Sequence, residues 1–501
     1  MSTPPTLVHD LLAAAAGRSP DAAALTAQGE TTTFAELHLR AARIAAWLAQ
    51  HGVGRGDRIV VVSGSGQLVA ALLWGASRAG AVLAIQHEHV RGEPLRHVLT
   101  DSEPALLVID DVASLTAAEA DPGVPAVDAA RLMAVAHGAE EIAGARAERT
   151  VLAVDPALMI YTSGSTAAPK AVVSTHSQIL FAAQAIQSVL EYRADDVVFC
   201  PLPLSFDYGL YQLLLGALSG AHVYLGRPAD VGPTLVRSLR ASQATVLAAV
   251  PMVADALSRL LARSPQVLPL RLLTNTGAAM PPAVLAKLRQ AVPGLRVQLM
   301  FGLTECKRTT IMPPDGDLAR PGSSGLPLPG TEVTILDDDG NPVEAGEIGQ
   351  ITVRGPHVMA GYWRRPELTA QRFVRREGLF PELWTGDYGW CDSDGYLYFA
   401  GRRDDLYKER GFRVSATEVE AAVMRVPGVQ SCAVLVPTDR RPAVLVAVGS
   451  LSDEELLAAL AGQLEDYKIP RRIRFVDALP LTSNGKINRR KLAELPELVN
   501  A

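Results

Sequence analysis

Residues 161–176 read YTSGSTAAPKAVVSTH, with four aliphatic hydroxyls around one glycine, then a proline and a single cation. Backbone N–H groups there, with the hydroxyls of Thr162, Ser163, Ser165 and Thr166 around Gly164, can surround phosphate oxygens, and Lys170 supplies the compensating charge. The spacing is not that of a Walker loop, because GxxxxGK[ST] is absent. Read alone, the same residues also describe a serine-rich surface turn. A second lysine of interest, Lys486, follows Asn484–Gly485, a tight-turn pair that would present it beside a hairpin tip.

Positioning such groups takes rigid elements on either side. ALMIY before the loop and AVVST after it read as strands. Thr33 and Glu36 form a capping box ahead of apolar Leu37, Ile44 and Leu48, and RIVVVS at 58–63 is a short β-branched strand. RLLTNTG at 271–277 and RVQLMFG at 296–302 flank a helix opened by Pro281 and Pro282, a βαβ unit that requires a largely parallel sheet. EVTILD and GQITVRG, on either side of DDDGNPVEAGEI, read as antiparallel strands, and GYLYFAG as another. Beyond Arg402 a smaller α+β unit begins, with Ser415/Glu418 and Ser452/Glu455 as capping boxes and CAVLVP and AVLVAVG as strands. The expected fold is α/β. A large N-terminal domain (1–402) combines layered, mostly parallel sheets and helices with a small antiparallel region, and a small mobile α+β domain (403–501) follows.

The bulk composition fits this reading. A chain of 501 residues exceeds one ordinary core, and 48% hydrophobic with 20% charged residues is a packed globular composition. A net charge of −6 argues against nucleic acid or an anionic membrane as partner. The four scattered cysteines form no metal or disulfide pattern, and no basic leader precedes the apolar N-terminal patch, so a cytoplasmic protein is expected. LVAALLWGASRAGAVLAI contains Arg78 and two glycines and reads as a buried helix running into a strand. His87-Glu88-His89 lacks an evident third metal ligand, Asp337-Asp338-Asp339-Gly340 reads as a turn, and Gly64-Ser65-Gly66 misses the third glycine of a dinucleotide fingerprint.

Five segments occur in order: the loop at 161–170, FGLTE at 301–305, WTGD at 384–387, GRRDDLYKERGFRVSATEVE at 401–420 and LTSNGKINRRKL at 481–492. Together they resemble the adenylate-forming superfamily of acyl-CoA synthetases, peptide-synthetase adenylation domains and luciferases, from about residue 30 to 492. The resemblance implies ATP and Mg²⁺ as cofactors. Residues 162–170 would hold the β- and γ-phosphates. Thr276, Gly277 and Ala278 would line the adenine, and Phe301, followed by Gly302, would stack on it where tyrosine is usual. Thr304 would bond the α-phosphate, Glu305 would hold Mg²⁺, Asp387 the ribose hydroxyls, and Arg402 the ribose or phosphate. Lys486 would bridge the attacking carboxylate and the α-phosphate, and Asp404 matches the hinge about which the small domain turns. The implied reaction converts a carboxylic acid to acyl-AMP with release of pyrophosphate, then passes the acyl group to a thiol.

Two departures matter. Ala167 and Ala171 stand where the family usually has glycine, so either both positions have negative φ or phosphate binding is altered. PLSFDYGLYQ carries Phe206–Asp207, as amino-acid adenylation domains do, and there the aspartate binds the substrate ammonium; alternatively Asp207 bonds protein donors alone. Lys307 and Arg308, directly after the TE motif, either face the acyl pocket and pair with a second acidic group or lie on the surface. The small-molecule acid is therefore read as an amino or aminodicarboxylic acid, ahead of an aryl or fatty acid. No carrier module is read within these 501 residues, so the thiol is expected to be that of a separate carrier protein or CoA. A non-carboxylate oxyacid, an oxygenase and a non-catalytic nucleotide-binding protein are the remaining alternatives.

Overall fold

Among the described residues the alternation of capped helices and β-branched strands builds two large sheets, a two-stranded ribbon of Leu406–Glu409 with Phe412–Ser415 and a three-stranded C-terminal sheet. The computed structural model describes residues 4–115, 124–139, 150–162, 169–375, 380–402, 406–409, 412–438, 441–461, 463–464, 468–481 and 487–495.

In the first sheet Arg58–Val62 lies between Val82–Gln86 and Leu106–Ile109, parallel to both. All five residues of Val82–Gln86 are buried and the first four are apolar, so the strand reads as a continuous run rather than an alternating one. The helix Gly66–Ala79, capped by Ser65 and stopped at Gly80 with φ 75°, feeds this strand, as the apolar window suggests. The sheet continues through Pro156–Thr162 to Lys170–Thr175, which pair antiparallel with Thr162 opposite Lys170. Ala171 sits in this ladder opposite Tyr161 and is absent from the positions with positive φ, so alanine there needs no glycine-like backbone.

The second sheet is parallel through Val197–Cys200, Val246–Ala249, Leu272–Asn275 and Arg296–Phe301. The helix Pro282–Ala291 completes the βαβ unit, with prolines at its start. At Phe301 the pairing changes sense. Thr310–Ile311, Ser323–Pro327, Leu397–Arg402, Glu382–Cys391, Gly349–Arg354 and Glu332–Leu336 extend the same sheet in antiparallel register. The antiparallel region is thus hydrogen-bonded onto the parallel one, and the junction falls at the FGLTE segment.

The C-terminal sheet pairs Val429–Leu435 with Val444–Gly449, antiparallel, and adds Arg472–Phe475 in parallel. Its own core includes Val419, Val423, Leu445, Leu456 and Ile473. Ser415 caps its helix by accepting from Glu418 N at 3.1 Å. The Glu418 carboxylate accepts from Lys468 at 2.7 Å. A strong cation within reach outcompetes the backbone N–H that a full capping box would offer that carboxylate.

Candidate active site

The predicted nucleotide residues gather where the parallel strands end and the antiparallel ones begin. Leu272–Asn275 delivers buried Thr276, then Gly277 at φ 90° and exposed Ala278. A left-handed backbone suits glycine there, and a side chain at Gly277 would meet the Phe206 ring at 3.5 Å. Phe301 ends the next strand, its ring 5.4 Å from that of Phe399. Asp387 and Arg402 face each other across adjacent strands, and the Arg402 Nε lies 3.4 Å from the Asp387 carboxylate. Gly386 at φ 72° turns the chain before Asp387, whose N–H donates to Thr385 Oγ1 at 3.0 Å.

Glu305 is the meeting point of three elements. It lies in the turn after Phe301; Lys170 begins the strand after the loop; Tyr362 lies on a two-residue strand, Gly361–Tyr362, paired to that same strand. Tyr362 Oη donates to Glu305 Oε1 at 2.7 Å, and Lys170 Nζ stands 3.8 Å from the same oxygen. The Lys170 ammonium also lies 3.9 Å from the centre of the Tyr362 ring, a cation–π contact. Burial lowers the Lys170 pKa, opposed by Glu305. Burial, the Glu305 charge and its hydrogen bond together raise that of Tyr362. Thr304 is half-buried in the same turn.

On the other side of this turn lies a buried charged group. Lys307 and Arg308 are 0% and 3% exposed, so neither lies on the surface. Asp207 opens the helix Asp207–Ser219 and is 5% exposed. Arg308 Nη1 is 3.5 Å from its carboxylate, so a protein cation already stands beside Asp207. The Arg308 guanidinium packs 4.9 Å over the Tyr208 ring, and the Lys307 ammonium lies 5.9 Å from that of Tyr211. Lys307 Nζ and Arg308 Nε have no hydrogen-bond partner among the described residues. Burial pushes the Lys307 pKa down to about 8, with Asp207 opposing.

Backbone strain directs these side chains inward. Lys307 holds φ 63°, a left-handed conformation that costs a non-glycine residue about 1–2 kcal/mol. The turn folds back so that Thr309 N donates to Phe301 O at 2.8 Å. A Cβ at Gly302 would stand 2.2 Å from the Lys307 carbonyl oxygen, so this position requires glycine for close approach.

Thr162 and Lys170, the two ends of the predicted phosphate loop, are thus brought together, and Lys170 joins Glu305. Ser163, Gly164, Ser165, Thr166 and Ala167 lie outside the described residues, as do Asp404 and Lys486. Beside Lys486, Leu481 and Ile487 form an antiparallel bridge. Sequence reasoning missed Tyr208, Tyr211 and Tyr362. Tyr208 and Tyr211 stand within the quoted PLSFDYGLYQ stretch, and Tyr211 lies four residues, about one helical turn, from Asp207, which was a usable signal. Tyr362 is 57 residues from Glu305 and carried none.

The donor set fits a magnesium nucleotide. Glu305 offers hard oxygen, Asp387 is a buried carboxylate that can accept from hydroxyls, and the backbone at Gly277 leaves room beside the Phe206 ring. A parallel sheet with such a site at its carboxyl edge, extended by antiparallel strands and followed by a small α+β unit, defines an adenylate-forming enzyme. The sequence profile of the AMP-binding enzyme family matches residues 12–363, and that of the AMP-binding enzyme C-terminal domain matches 418–486. The chain belongs to this family and is an AMP-forming ligase related to acyl-CoA synthetases.

It is 34% identical over 482 residues to a feruloyl-CoA synthase of Amycolatopsis sp, covering 94% of this chain and 95% of that one. Among solved structures it is similar to VinN in complex with L-aspartate, with 42% identity and a TM-score of 0.71 over 79% of this chain and 98% of that one. It is also similar to the o-succinylbenzoate coenzyme A synthetase MenE of Bacillus subtilis in complex with AMP, with 27% identity and a TM-score of 0.83 over 96% and 97% of the two chains. No helix among the described residues is long and apolar enough to cross a membrane.

Proposed function

We propose that the protein adenylates an aminodicarboxylic acid with MgATP and passes the acyl group to the thiol of a discrete carrier protein. The observation that carries this reading is the buried trio of Asp207, Lys307 and Arg308, in which two cations face one carboxylate and Lys307 has no hydrogen-bond partner among the described residues. An isolated buried charge is costly, and a ligand that pairs it removes the penalty. A substrate ammonium would bind Asp207, a second carboxylate would bind Lys307 and Arg308, and the remaining carboxylate would point past the turn at 302–306 toward the nucleotide. VinN, similar over most of its length, has been solved with L-aspartate, a compound of this class.

In this reading Lys170 and the loop hydroxyls hold the β- and γ-phosphates, while Asp387 and Arg402 hold the ribose. Thr276, Gly277, Ala278 and Phe301 border the base, with Gly302 allowing the turn to close. Thr304 bonds the α-phosphate. Glu305 would hold magnesium, which would supply charge neutralisation to the phosphates. Lys486, carried on a small domain that begins at 403 and turns about Asp404, aligns the attacking carboxylate with the α-phosphate and stabilises charge developing there. CoA as the thiol acceptor is the second reading, favoured by the relatives that are CoA synthases and ligases.

The test is acid-dependent ATP–pyrophosphate exchange across amino, aminodicarboxylic, aryl and fatty acids, with Lys486→Ala as the control. Exchange is expected with an aminodicarboxylic acid and is lost in Asp207→Asn and Lys307→Met. Exchange confined to acids without an amino group overturns the acid reading and leaves adenylation intact.

A further inference from the structure

The helix Gly92–Ser102 has no part in the site described above, yet two of its side chains, one turn apart, hold both ends of the phosphate loop. His97 Nε2 lies 2.7 Å from the carbonyl oxygen of Pro169, the residue immediately before Lys170. A carbonyl can only accept, so the nitrogen facing it carries the proton. Pro169 lies one residue beyond the last cross-strand pair, Thr162 with Lys170, so His97 supplies a partner where the ladder has ended.

Asp101, four residues on and therefore on the same helical face, holds the other strand. Its Oδ2 accepts from Tyr161 Oη at 2.9 Å and its Oδ1 from Arg365 at 2.7 Å. The Asp101 carbonyl accepts from Trp363 Nε1 at 3.0 Å, and Trp363 N donates to Ala171 O at 2.9 Å. The strand entering the loop is thus tied at Tyr161 and the strand leaving it at Pro169 and Ala171, all to one helix. A cleft of about 250 Å³ runs between His97, Thr100, Asp101, Arg364 and Arg365. His97 is only half-buried, so replacing it does not hollow out the core.

We propose that His97 is a positioning residue for the nucleotide: with Asp101 it clamps the two ends of the phosphate loop and so aims Lys170, without touching ATP. Binding by backbone N–H groups and one lysine is strong only when they are already ordered, because ordering on binding subtracts from affinity. Ala171 is held in the ladder opposite Tyr161, so these ties act on the residues that flank the loop at both of its ends. The inference depends on MgATP binding and not on which acid is activated.

The experiment is equilibrium binding of MgATP and of AMP to the full chain without any acid, by calorimetry, with thermal unfolding alongside. Losing one hydrogen bond that orders the loop is expected to weaken MgATP about tenfold in His97→Ala. AMP, which has no β- or γ-phosphate, should change less than about twofold, since the clamp acts on the loop alone. His97→Gln, whose amide can donate to the same carbonyl, should recover MgATP affinity to within about threefold of the parent. Equal weakening of ATP and AMP, no weakening of either, or a Gln variant no better than Ala would overturn the proposal. Should His97→Ala not fold, Tyr161→Phe carries the same selective expectation, and wild-type MgATP affinity in that variant would overturn it equally. A parent chain that binds no MgATP overturns this inference together with the nucleotide reading, whereas failure to identify the acid leaves it standing.

Discussion

The two halves of the site are built on opposite electrostatic plans. On the nucleotide side the charges already satisfy one another: Lys170 and Tyr362 stand on Glu305, and Arg402 on Asp387. On the proposed acid side Arg308 stands beside Asp207, and the Lys307 ammonium is sealed from water without a hydrogen-bond partner among the described residues. Paired groups beside a pocket can exchange partners with an incoming polyphosphate at modest cost. An unpaired buried charge discriminates, because any ligand that fails to neutralise it leaves the burial penalty in place. In the proposed reading the nucleotide half therefore suits a common ligand and the acid half a particular one.

Breaking the wall between the halves has the largest expected effect. Gly302→Ala places a methyl group against the Lys307 carbonyl at 2.2 Å and displaces both halves together. Exchange activity should fall more than about 1,000-fold, since misplacement by an ångström already costs about 100-fold at one centre. Activity within tenfold of the parent would show that the turn yields freely.

Lys307→Met separates the halves. Loss of one partner of a buried charged contact costs about 2–5 kcal/mol, so kcat/KM for the acid should drop about 30- to 5,000-fold. MgATP affinity should stay unchanged in Lys307→Met. Thermal stability should rise, because an unpartnered buried ammonium becomes a matching apolar side chain. A drop in unfolding temperature would mean that Lys307 is satisfied in the free protein.

Tyr362→Phe tests the nucleotide side alone. Removing its hydroxyl takes one of two groups from Glu305 Oε1 and should alter MgATP affinity about three- to tenfold with the acid KM unchanged. Titrating magnesium at fixed ATP in the two proteins measures it.

The smallest effect lies outside both halves and calibrates stability. Burial pushes the His357 pKa down to about 4, and both its ring nitrogens lack partners among the described residues. A histidine depressed on folding contributes stability that is intact above its unfolded value. That contribution is lost as pH falls from about 6.5 to about 4, where it reaches about 3 kcal/mol. His357→Leu should therefore flatten the decline of unfolding temperature over that window and leave adenylation unchanged at pH 7.5.

The nucleotide half was far more legible in the sequence than the acid half. Its residues come as local motifs, each near a strand end: GLTE after Arg296–Phe301, TGD within Glu382–Cys391, the loop between Pro156–Thr162 and Lys170–Thr175. Chain order alone lines those strand ends up. Lys307 and Arg308 read equally well as surface residues, because two adjacent cations after a turn are usually solvated. What turns them inward is a left-handed backbone at Lys307 and a glycine at 302 that accepts its carbonyl. Neither is visible in residue types read one at a time. Tyr362 and the pairing of Asp101 with Arg365 were invisible for a simpler reason. They join residues separated by 57 and 264 positions, and no local pattern encodes a contact at that range.

By itself the sequence determined the family, the α/β architecture and many of the caps that start its helices, and it supplied the residues proposed to meet a nucleotide. Those depend on short-range periodicity, capping chemistry and motifs confined to single turns. Only the tertiary structure decided that the antiparallel strands continue the parallel sheet at Phe301. It also decided that two cations lie buried beside Asp207 and that one helix face holds both ends of the phosphate loop. Each of these is a balance between burial and pairing among residues distant in the chain, and that balance exists only once the chain has closed around them.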